Sequence, residues 1–383
     1  MNERIQTIST TLRRQVLEPL KGSFVSKDEV IDLLGVTLVA GENLFILGPP
    51  GTAKSAIVRA LSQLVGGKTF EYLLTRFTEP SELFGPFDIR KLKEGDLETN
   101  TEGMLPEASF AFLDELLNAN SAILNSLLNV LHERVMRRGK EVRKLPLLCT
   151  VGASNHLPED EALEALFDRF LLRVRCGYAD ESRLQEVLEA GWKLESKQQE
   201  SQVAVSIEDL RWLNEQISTV NLQPIYSVLL DRIHRMREAG LPLSDRRAVK
   251  LQRIIASSAL LCGRLEAQVS DLWVLRHVWD NEEQIEMLQA LVDEVVSKEE
   301  EEEHSHPGSR HDGTPDPDVV SSLLDGFESQ LDNLTEVEDS ESAIAVMKDQ
   351  LSSLSARIEW INNETSREHL KVRIDNIWNR IAV

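Results

Sequence analysis

Cysteine is scarce in this chain of 383 residues, and long apolar runs are missing. The three cysteines, Cys149, Cys176 and Cys262, have neither the spacing of a metal site nor that of a disulfide framework, so we expect small buried residues in a reducing compartment. No apolar run approaches the roughly 18 residues of a membrane-spanning helix, and the amino-terminal residues do not read as a signal peptide. These absences favour a soluble cytoplasmic protein.

Basic charge is also in deficit, because the formal net charge is −22. Residues 281–383 carry 8 Lys and Arg against 25 Asp and Glu, a net −17, which leaves −5 on residues 1–280. General nucleic-acid binding needs a basic surface, so we do not expect nucleic acid as a partner, although a local basic pore remains compatible with this balance.

A glycine- and proline-rich loop follows the apolar run at residues 44–47. It comprises Gly48, Pro49, Pro50, Gly51, Thr52, Ala53, Lys54 and Ser55, and Ala56 continues into a predicted helix. Such a loop points backbone N–H groups at phosphates, and the helix N-terminus adds positive potential. We expect Lys54 to reach the β- and γ-phosphates and Ser55 to bind Mg²⁺. Ala53 replaces the second glycine of the strict pattern, and the alternative is an ordinary strand-to-helix turn.

Two adjacent carboxylates form the second chemical motif. The apolar run Phe110–Leu113 ends in Asp114 and Glu115, and burial of unpaired charge is costly. A nucleotide-bound metal explains the pair: Asp114 would hold Mg²⁺, and Glu115 would act as general base toward the attacking water.

Three further polar residues are candidates for the same site. Asn155 follows a predicted strand and is suited to bind the γ-phosphate or the water, although an Asn there is also a common turn residue. Arg169 closes a predicted helix near the sheet edge. Arg246 opens another helix, where the macrodipole disfavours a cation unless a phosphate is bound. A surface arginine paired with Asp245 is the alternative.

Five apolar strands alternate with helices up to residue 179, which predicts a parallel, doubly wound α/β domain with its ligands at the carboxyl ends of the strands. Within it we predict an insertion at about 78–107 and a basic-tipped hairpin at about 135–144. A capping box at Ser26–Glu29 predicts a helix start.

The remainder of the chain is predicted to be helical, with one break. Residues 180–297 form a helical domain, and residues 298–318 form an acidic flexible linker whose histidines, His304, His306 and His311, give only a weak metal signal. Residues 319–383 form a helical hairpin or coiled coil. Its predicted seam comprises Ile344, Met347, Leu351, Leu354, Ile358, Ile361, Leu370, Ile374, Ile377 and Ile381.

The ordered set of motifs resembles the AAA+ ATPases over about residues 1–297, and more narrowly the MoxR group, especially its RavA branch. The narrower resemblance rests on five stretches: residues 48–55, 75–77, 83–86, 103–108 and 166–169. It implies an AAA+ large αβα domain at 1–179, with a helix-2 insert and a pre-sensor-1 hairpin, followed by a small helical lid at 180–297. It also implies that the protein binds ATP and ADP with Mg²⁺ and forms a homo-hexameric ring. Ala53 is common in that group.

The same resemblance implies roles for the three candidates: Asn155 as sensor 1, Arg169 as an arginine finger acting on a neighbouring subunit's nucleotide, and Arg246, or its neighbour Arg247, as sensor 2. It further implies a chaperone-like remodelling or metal-insertion factor that works with a von Willebrand factor A domain protein on a protein client. The alternatives are a metal-chelatase-type motor subunit and a nucleotide-gated scaffold with little turnover. A DNA-dependent motor is disfavoured by the charge balance.

Overall fold

A five-stranded parallel sheet organises the amino-terminal part of the chain. In the computed structural model its strands are β1 (Leu44–Leu47), β2 (Thr69–Leu73), β3 (Phe110–Asp114), β6 (Cys149–Ser154) and β7 (Leu172–Arg175). They lie in the order β2-β3-β6-β1-β7, and every neighbouring pair is parallel. The predicted α/β core with a five-stranded parallel sheet is therefore confirmed.

The structure describes residues 2–88, 98–138, 141–158, 161–196, 203–296 and 305–309, together with 320–321, 324–328, 331, 348, 351, 354–355, 358 and 364–381. The α-helices are α1 (Asn2–Thr11), α2 (Glu18–Ser23), α3 (Asp28–Ala40), α4 (Lys54–Leu64), α5 (Pro80–Phe84), α6 (Ser121–Glu133), α7 (Glu161–Phe167), α8 (Leu184–Ser196), α9 (Ile207–Glu215), α10 (Tyr226–Glu238), α11 (Asp245–Leu261), α12 (Glu283–Val296) and α13 (Glu364–Ile381). A π-helical segment, Leu12–Leu17, joins α1 to α2. Within these ranges, no helix has both the length and the apolar character needed to cross a membrane.

Burial distinguishes the inner strands β1 and β6 from the edge strand β2. All residues of β1 and β6, the two inner strands nearest the phosphate-loop candidate, are buried. In strand β2 only Phe70 is buried and the other four residues are partly or fully exposed, which fits an edge strand that packs on one face only. The three cysteines are free and buried, as predicted, and burial raises the pKa of the Cys149 thiol to about 11.

The predicted capping box before α3 is wrong. Lys27 precedes the helix without a side-chain cap, and Ser26 has a φ of +59°. The Ser26 hydroxyl instead accepts a hydrogen bond from Arg183 Nη1 at 3.2 Å. Arg183, 157 positions away in the chain, thus binds the hydroxyl that the local sequence assigned to the helix start.

The two predicted projections contact each other. Strands β4 (Val135–Arg138) and β5 (Glu141–Lys144) pair antiparallel, and the basic tip at residues 139–140 lies outside the described residues. The Arg138 guanidinium stacks 4.1 Å from the centre of the Phe87 ring and donates to the Gly85 carbonyl. The hairpin therefore packs on the described part of the 78–107 segment.

The chain divides into two compact units. The first comprises residues 1–222 and 250–267, and the second comprises residues 223–249 and 268–383, so α11 begins in the second unit and ends in the first. The predicted boundary at residue 179 lies inside the first unit. The division into a large domain and a lid at that residue stays a prediction.

Five residues within the predicted flexible linker pack against the second unit. The His306 ring is buried and stacks on Trp273, with ring centroids 4.7 Å apart. Arg276 donates from Nη1 to the Gly308 carbonyl at 2.9 Å. Residues 305–309 are therefore not a solvated linker, because Trp273 and Arg276 supply an apolar surface and a donor. His304 and His311 lie outside the described residues, and no cluster of potential metal ligands occurs in the described part of the chain.

The carboxyl-terminal residues form a hydrophobic cluster of their own. Its buried members are Val320, Leu324, Phe327, Leu331, Leu351, Leu354, Ile358, Leu370, Ile374 and Ile377. Val320, Leu324, Phe327 and Leu331 were not part of the predicted seam, so these helical residues add to the predicted hydrophobic cluster. Arg373 of α13 pairs with Asp325, which follows Leu324, at 2.6 Å. The seam positions 344, 347 and 361 lie outside the described residues.

Candidate nucleotide-binding and catalytic site

The loop between β1 and α4 encloses a lysine ammonium group. Lys54 is 6% exposed, and its Nζ donates to the carbonyls of Gly48 at 2.7 Å and Pro49 at 2.9 Å. Gly51 and Ala53 have positive φ, +82° and +63°, so the chain turns sharply just before the helix. This turn places a buried cation beside the N-terminus of α4, a combination that favours phosphate.

The ends of two neighbouring strands support the loop. The Gly48 N–H donates to Ser154 O at the end of β6 at 3.0 Å. A Cβ at Gly48 would lie 2.2 Å from Cys176 O, so only glycine fits here. The Tyr178 hydroxyl donates to Pro50 O at 3.3 Å. The sequence reasoning missed Cys176 and Tyr178; the available signal is that they follow β7, the strand beside β1.

The two carboxylates lie at the same edge of the sheet as the loop, because β3 and β1 are parallel and separated only by β6. Asp114 ends β3, and its Oδ1 accepts the Glu115 N–H at 3.0 Å. Glu115 has a φ of +50° and leads into a 3-10 turn, Leu116–Asn118. Both carboxylates are partly buried. The Ser55 hydroxyl and the Asp114 carboxylate are the oxygen ligands that Mg²⁺ prefers.

Asn155 comes directly after β6 and is exposed at the same edge of the sheet. The next residue, His156, is partly buried and contacts Asn118 three residues after Glu115, with Nε2 3.5 Å from Oδ1. Neither Asn118 nor His156 belongs to a motif that the sequence singled out, and a lone Asn and a lone His carry no local signal.

Arg169 lies between α7 and β7, before the first residue of β7, so it is at the amino ends of the parallel strands and not at the edge that carries the phosphate-loop candidate. Its carbonyl accepts a hydrogen bond from Asn43 Nδ2 at 3.0 Å, and its Nη1 lies 3.3 Å from Asp168 Oδ2. Its Nε atom is buried and has no hydrogen-bond partner within the described residues. The backbone of Arg169 is thus fixed by Asn43, while part of the donor capacity of its guanidinium is unused.

In the second unit, adjacent arginines at the start of α11 have opposite surroundings. Arg247 is 4% exposed; its Nη1 is 3.0 Å from both oxygens of Asp280, and its Nη2 donates to Val278 O at 2.7 Å. Arg246 is exposed. Because Arg247 is committed to a structural ion pair, Arg246 is the stronger candidate for a ligand contact.

Comparison with known proteins agrees with this fold. Residues 10–215 match the family model described as the MoxR domain in the MoxR-vWA-beta-propeller ternary systems, and residues 224–292 match that of an AAA lid domain. The fold and the matched models define an AAA+ protein. More narrowly, the chain belongs to the MoxR-type AAA+ ATPases.

Three individual proteins that are similar to this chain match between 46% and 78% of its length. The uncharacterised protein MJ0079 of Methanocaldococcus jannaschii is 37% identical over 287 residues, 74% of each chain. Chaperone MoxR1 of Mycobacterium tuberculosis is 28% identical over 182 residues, 46% of this chain and 47% of its own. A crystal structure of a provisionally assigned ATPase from Cytophaga hutchinsonii shares the fold, with a TM-score of 0.61 and 19% identity, over 78% of this chain and 97% of that one.

Proposed function

We propose that this chain hydrolyses Mg-ATP and uses the hydrolysis to remodel or assemble a protein client. The observation that carries the proposal is the placement of Lys54, Ser55, Asp114 and Glu115 at one edge of the sheet, in a chain of the MoxR family. MoxR1, named as a chaperone, supports the remodelling part.

Each residue in the site has a chemical role in this proposal. The backbone N–H groups of residues 48–56 would bind the phosphates of ATP or ADP, and Lys54 would neutralise the β- and γ-phosphates. Ser55 and Asp114 would hold Mg²⁺, which would offset phosphate charge. Glu115 would accept the proton of the attacking water, and Asn155 would contact the water or the γ-phosphate.

The proposal includes a homo-hexameric ring in which Arg169 reaches the nucleotide of a neighbouring subunit. The support is that the Arg169 side chain is 25% exposed and its ion pair within the described residues is with the more exposed Asp168. An arginine supplied by another subunit makes hydrolysis depend on assembly, and such a group contributes about 10³–10⁵ in rate. Arg246 would act from the lid. The large domain at 1–179 and the lid at 180–297 are part of this proposal.

Mixing two inactive variants tests the shared site. Glu115→Gln removes the base but keeps the arginine, and Arg169→Ala removes the arginine but keeps the base. We expect each variant alone to hydrolyse ATP near background. After the two are mixed, an Arg169→Ala subunit beside a Glu115→Gln subunit has one complete site, so activity should return. No recovery in rings shown by native mass spectrometry to contain both variants would contradict the arrangement.

A von Willebrand factor A domain protein is the proposed partner, and a β-propeller protein is a second one. The support is the family description, which places this kind of MoxR domain in MoxR-vWA-beta-propeller ternary systems. The Glu115→Gln protein with ATP should retain both kinds of protein in an affinity pull-down, because it binds the nucleotide without turning it over. If neither were retained above the level found with Lys54→Ala, the partner proposal would fail while the ATPase proposal would stand.

A further inference from the structure

A short chain of side-chain contacts connects Glu115 to the residue after Asn155. Asn118 Nδ2 lies 3.3 Å from Glu115 Oε2, and Asn118 Oδ1 lies 3.5 Å from His156 Nε2. The three side chains that make these contacts, Glu115, Asn118 and His156, are all partly buried. The contacts join the end of β3 to the loop after β6.

His156 is held in place from its other side. Its Nδ1 lies 2.9 Å from Leu157 O, and its backbone N–H donates to Ser154 Oγ at 3.4 Å. Ser154 is fully buried, and its carbonyl accepts the N–H of Gly48 in the phosphate-loop candidate. The imidazole is thus attached to the same strand end that supports the loop.

Hydrogen-bonding capacity gives this chain of contacts a direction. Leu157 O and Asn118 Oδ1 can only accept hydrogen bonds, so a hydrogen bond at either contact is donated by the ring. Asn118 then presents its amide N–H to Glu115, whose carboxylate accepts when it is ionised. A general base must be ionised to accept a proton. The contacts are long, as catalytic hydrogen bonds often are before substrate binds.

The backbone at Glu115 makes such support necessary. A φ of +50° is rare for a residue with a side chain, and such a backbone persists only where the surroundings hold it. The Asn118 N–H donates to the Glu115 carbonyl at 2.9 Å, which closes the 3-10 turn. The same residue therefore fixes both the backbone and the carboxylate of Glu115.

We infer that Asn118 and His156 are positioning residues that hold the Glu115 carboxylate toward the attacking water and tie it to the strand end beside Asn155. The inference rests on the proposed ATP hydrolysis. Neither residue is expected to touch the nucleotide, so their loss should lower kcat and leave KM for ATP nearly unchanged.

The test measures ATP hydrolysis by four proteins: the wild type, Asn118→Ala, His156→Asn and the double variant. We expect each single variant to lose about tenfold in kcat, a fraction of the 10²–10⁴ that a general base contributes, with KM within about twofold. The double variant should be no slower than Asn118→Ala, because both changes interrupt one chain of contacts.

Two variants separate positioning from a loss of packing. His156→Gln keeps an amide N–H near the position of Nε2 and should restore most of the wild-type kcat, whereas the shorter Asn side chain reaches only the position of Nδ1. His234→Asn, at an exposed histidine of α10, controls for removal of an imidazole. Thermal unfolding of every variant checks that the fold is retained.

Several results would overturn the inference. Wild-type kcat in both single variants, multiplicative losses in the double variant, or a kcat for His156→Gln as low as that for His156→Asn would each show that the contacts do not orient Glu115. A rise in KM without a fall in kcat would mean a role in binding. If the wild type hydrolysed no faster than Glu115→Gln, the proposed function itself would fail, and the inference with it.

Discussion

Replacement of Arg247 by alanine should unfold the second unit at a much lower temperature. Its guanidinium is 4% exposed and makes three hydrogen bonds, two to Asp280 and one to Val278 O. Removal of one partner of a buried ion pair costs about 3–5 kcal/mol. The Asp280 side chain is 27% exposed and can partly rehydrate, so we expect the lower end, about 3 kcal/mol. At about 2–4 °C for each kcal/mol, Tm falls by about 6–12 °C.

The adjacent Arg246→Ala variant is the matched control, because the same change is made one residue earlier. Arg246 is exposed, so the free energy of unfolding of Arg246→Ala should differ from that of the wild type by less than about 0.5 kcal/mol. Its proposed contact with the nucleotide predicts a loss of ATP turnover instead. Circular dichroism melting and steady-state ATP hydrolysis measure the two effects. The reasoning is refuted if Arg247→Ala melts with the wild type, or if Arg246→Ala is the variant that loses stability.

Three further predictions follow from buried groups. Burial raises the pKa of Asp32 from 3.8 to about 6, so the protonated carboxyl group stabilises the folded state in acid, and this contribution is lost as pH rises through 6. Between pH 5 and pH 8, the free energy of unfolding in urea should fall by about 1.5 kcal/mol more for the wild type than for Asp32→Asn. An equal fall in the two proteins would contradict this. A Cβ at Gly308 would lie 2.8 Å from the Trp273 ring, so Gly308→Ala should speed amide hydrogen exchange at residues 305–309. Gly326→Ala is the control and should not change this exchange, because a Cβ at Gly326 would meet open space. Gly48→Ala should weaken binding of a fluorescent ATP analogue at least about tenfold, because its methyl would lie 2.2 Å from a carbonyl oxygen; unchanged binding would show that the loop tolerates a side chain.

The sheet and the principal site residues were predictable because their signals are local. The buried strands are short apolar runs, and the site residues at or after their carboxyl ends, Lys54, Asp114 and Asn155, take their positions from those ends. In a parallel sheet those ends share one edge, so the strand pattern alone brings the motifs together. The structure confirmed the sheet, while the roles of these residues stay a proposal.

The features that the sequence did not reveal depend on residues far apart in the chain. Ser26 fits a capping box in the local sequence, but its hydroxyl accepts a hydrogen bond from Arg183 instead. Asn118 and His156 have no motif, and only the alignment of β3 with β6 brings them into contact. The composition of residues 305–309 indicates a solvated linker, but Trp273 provides a surface for His306. Tertiary partners overrode the local preference at each of these places.

The most direct test of the central claim is the rate of ATP hydrolysis by the wild type and by Glu115→Gln, measured across protein concentrations that span ring assembly. A base in one subunit and an arginine from its neighbour predict that wild-type activity per subunit rises as rings form, and that Glu115→Gln stays at background although it assembles. Equal, concentration-independent rates for the two proteins would contradict the account and identify a nucleotide-binding scaffold without turnover.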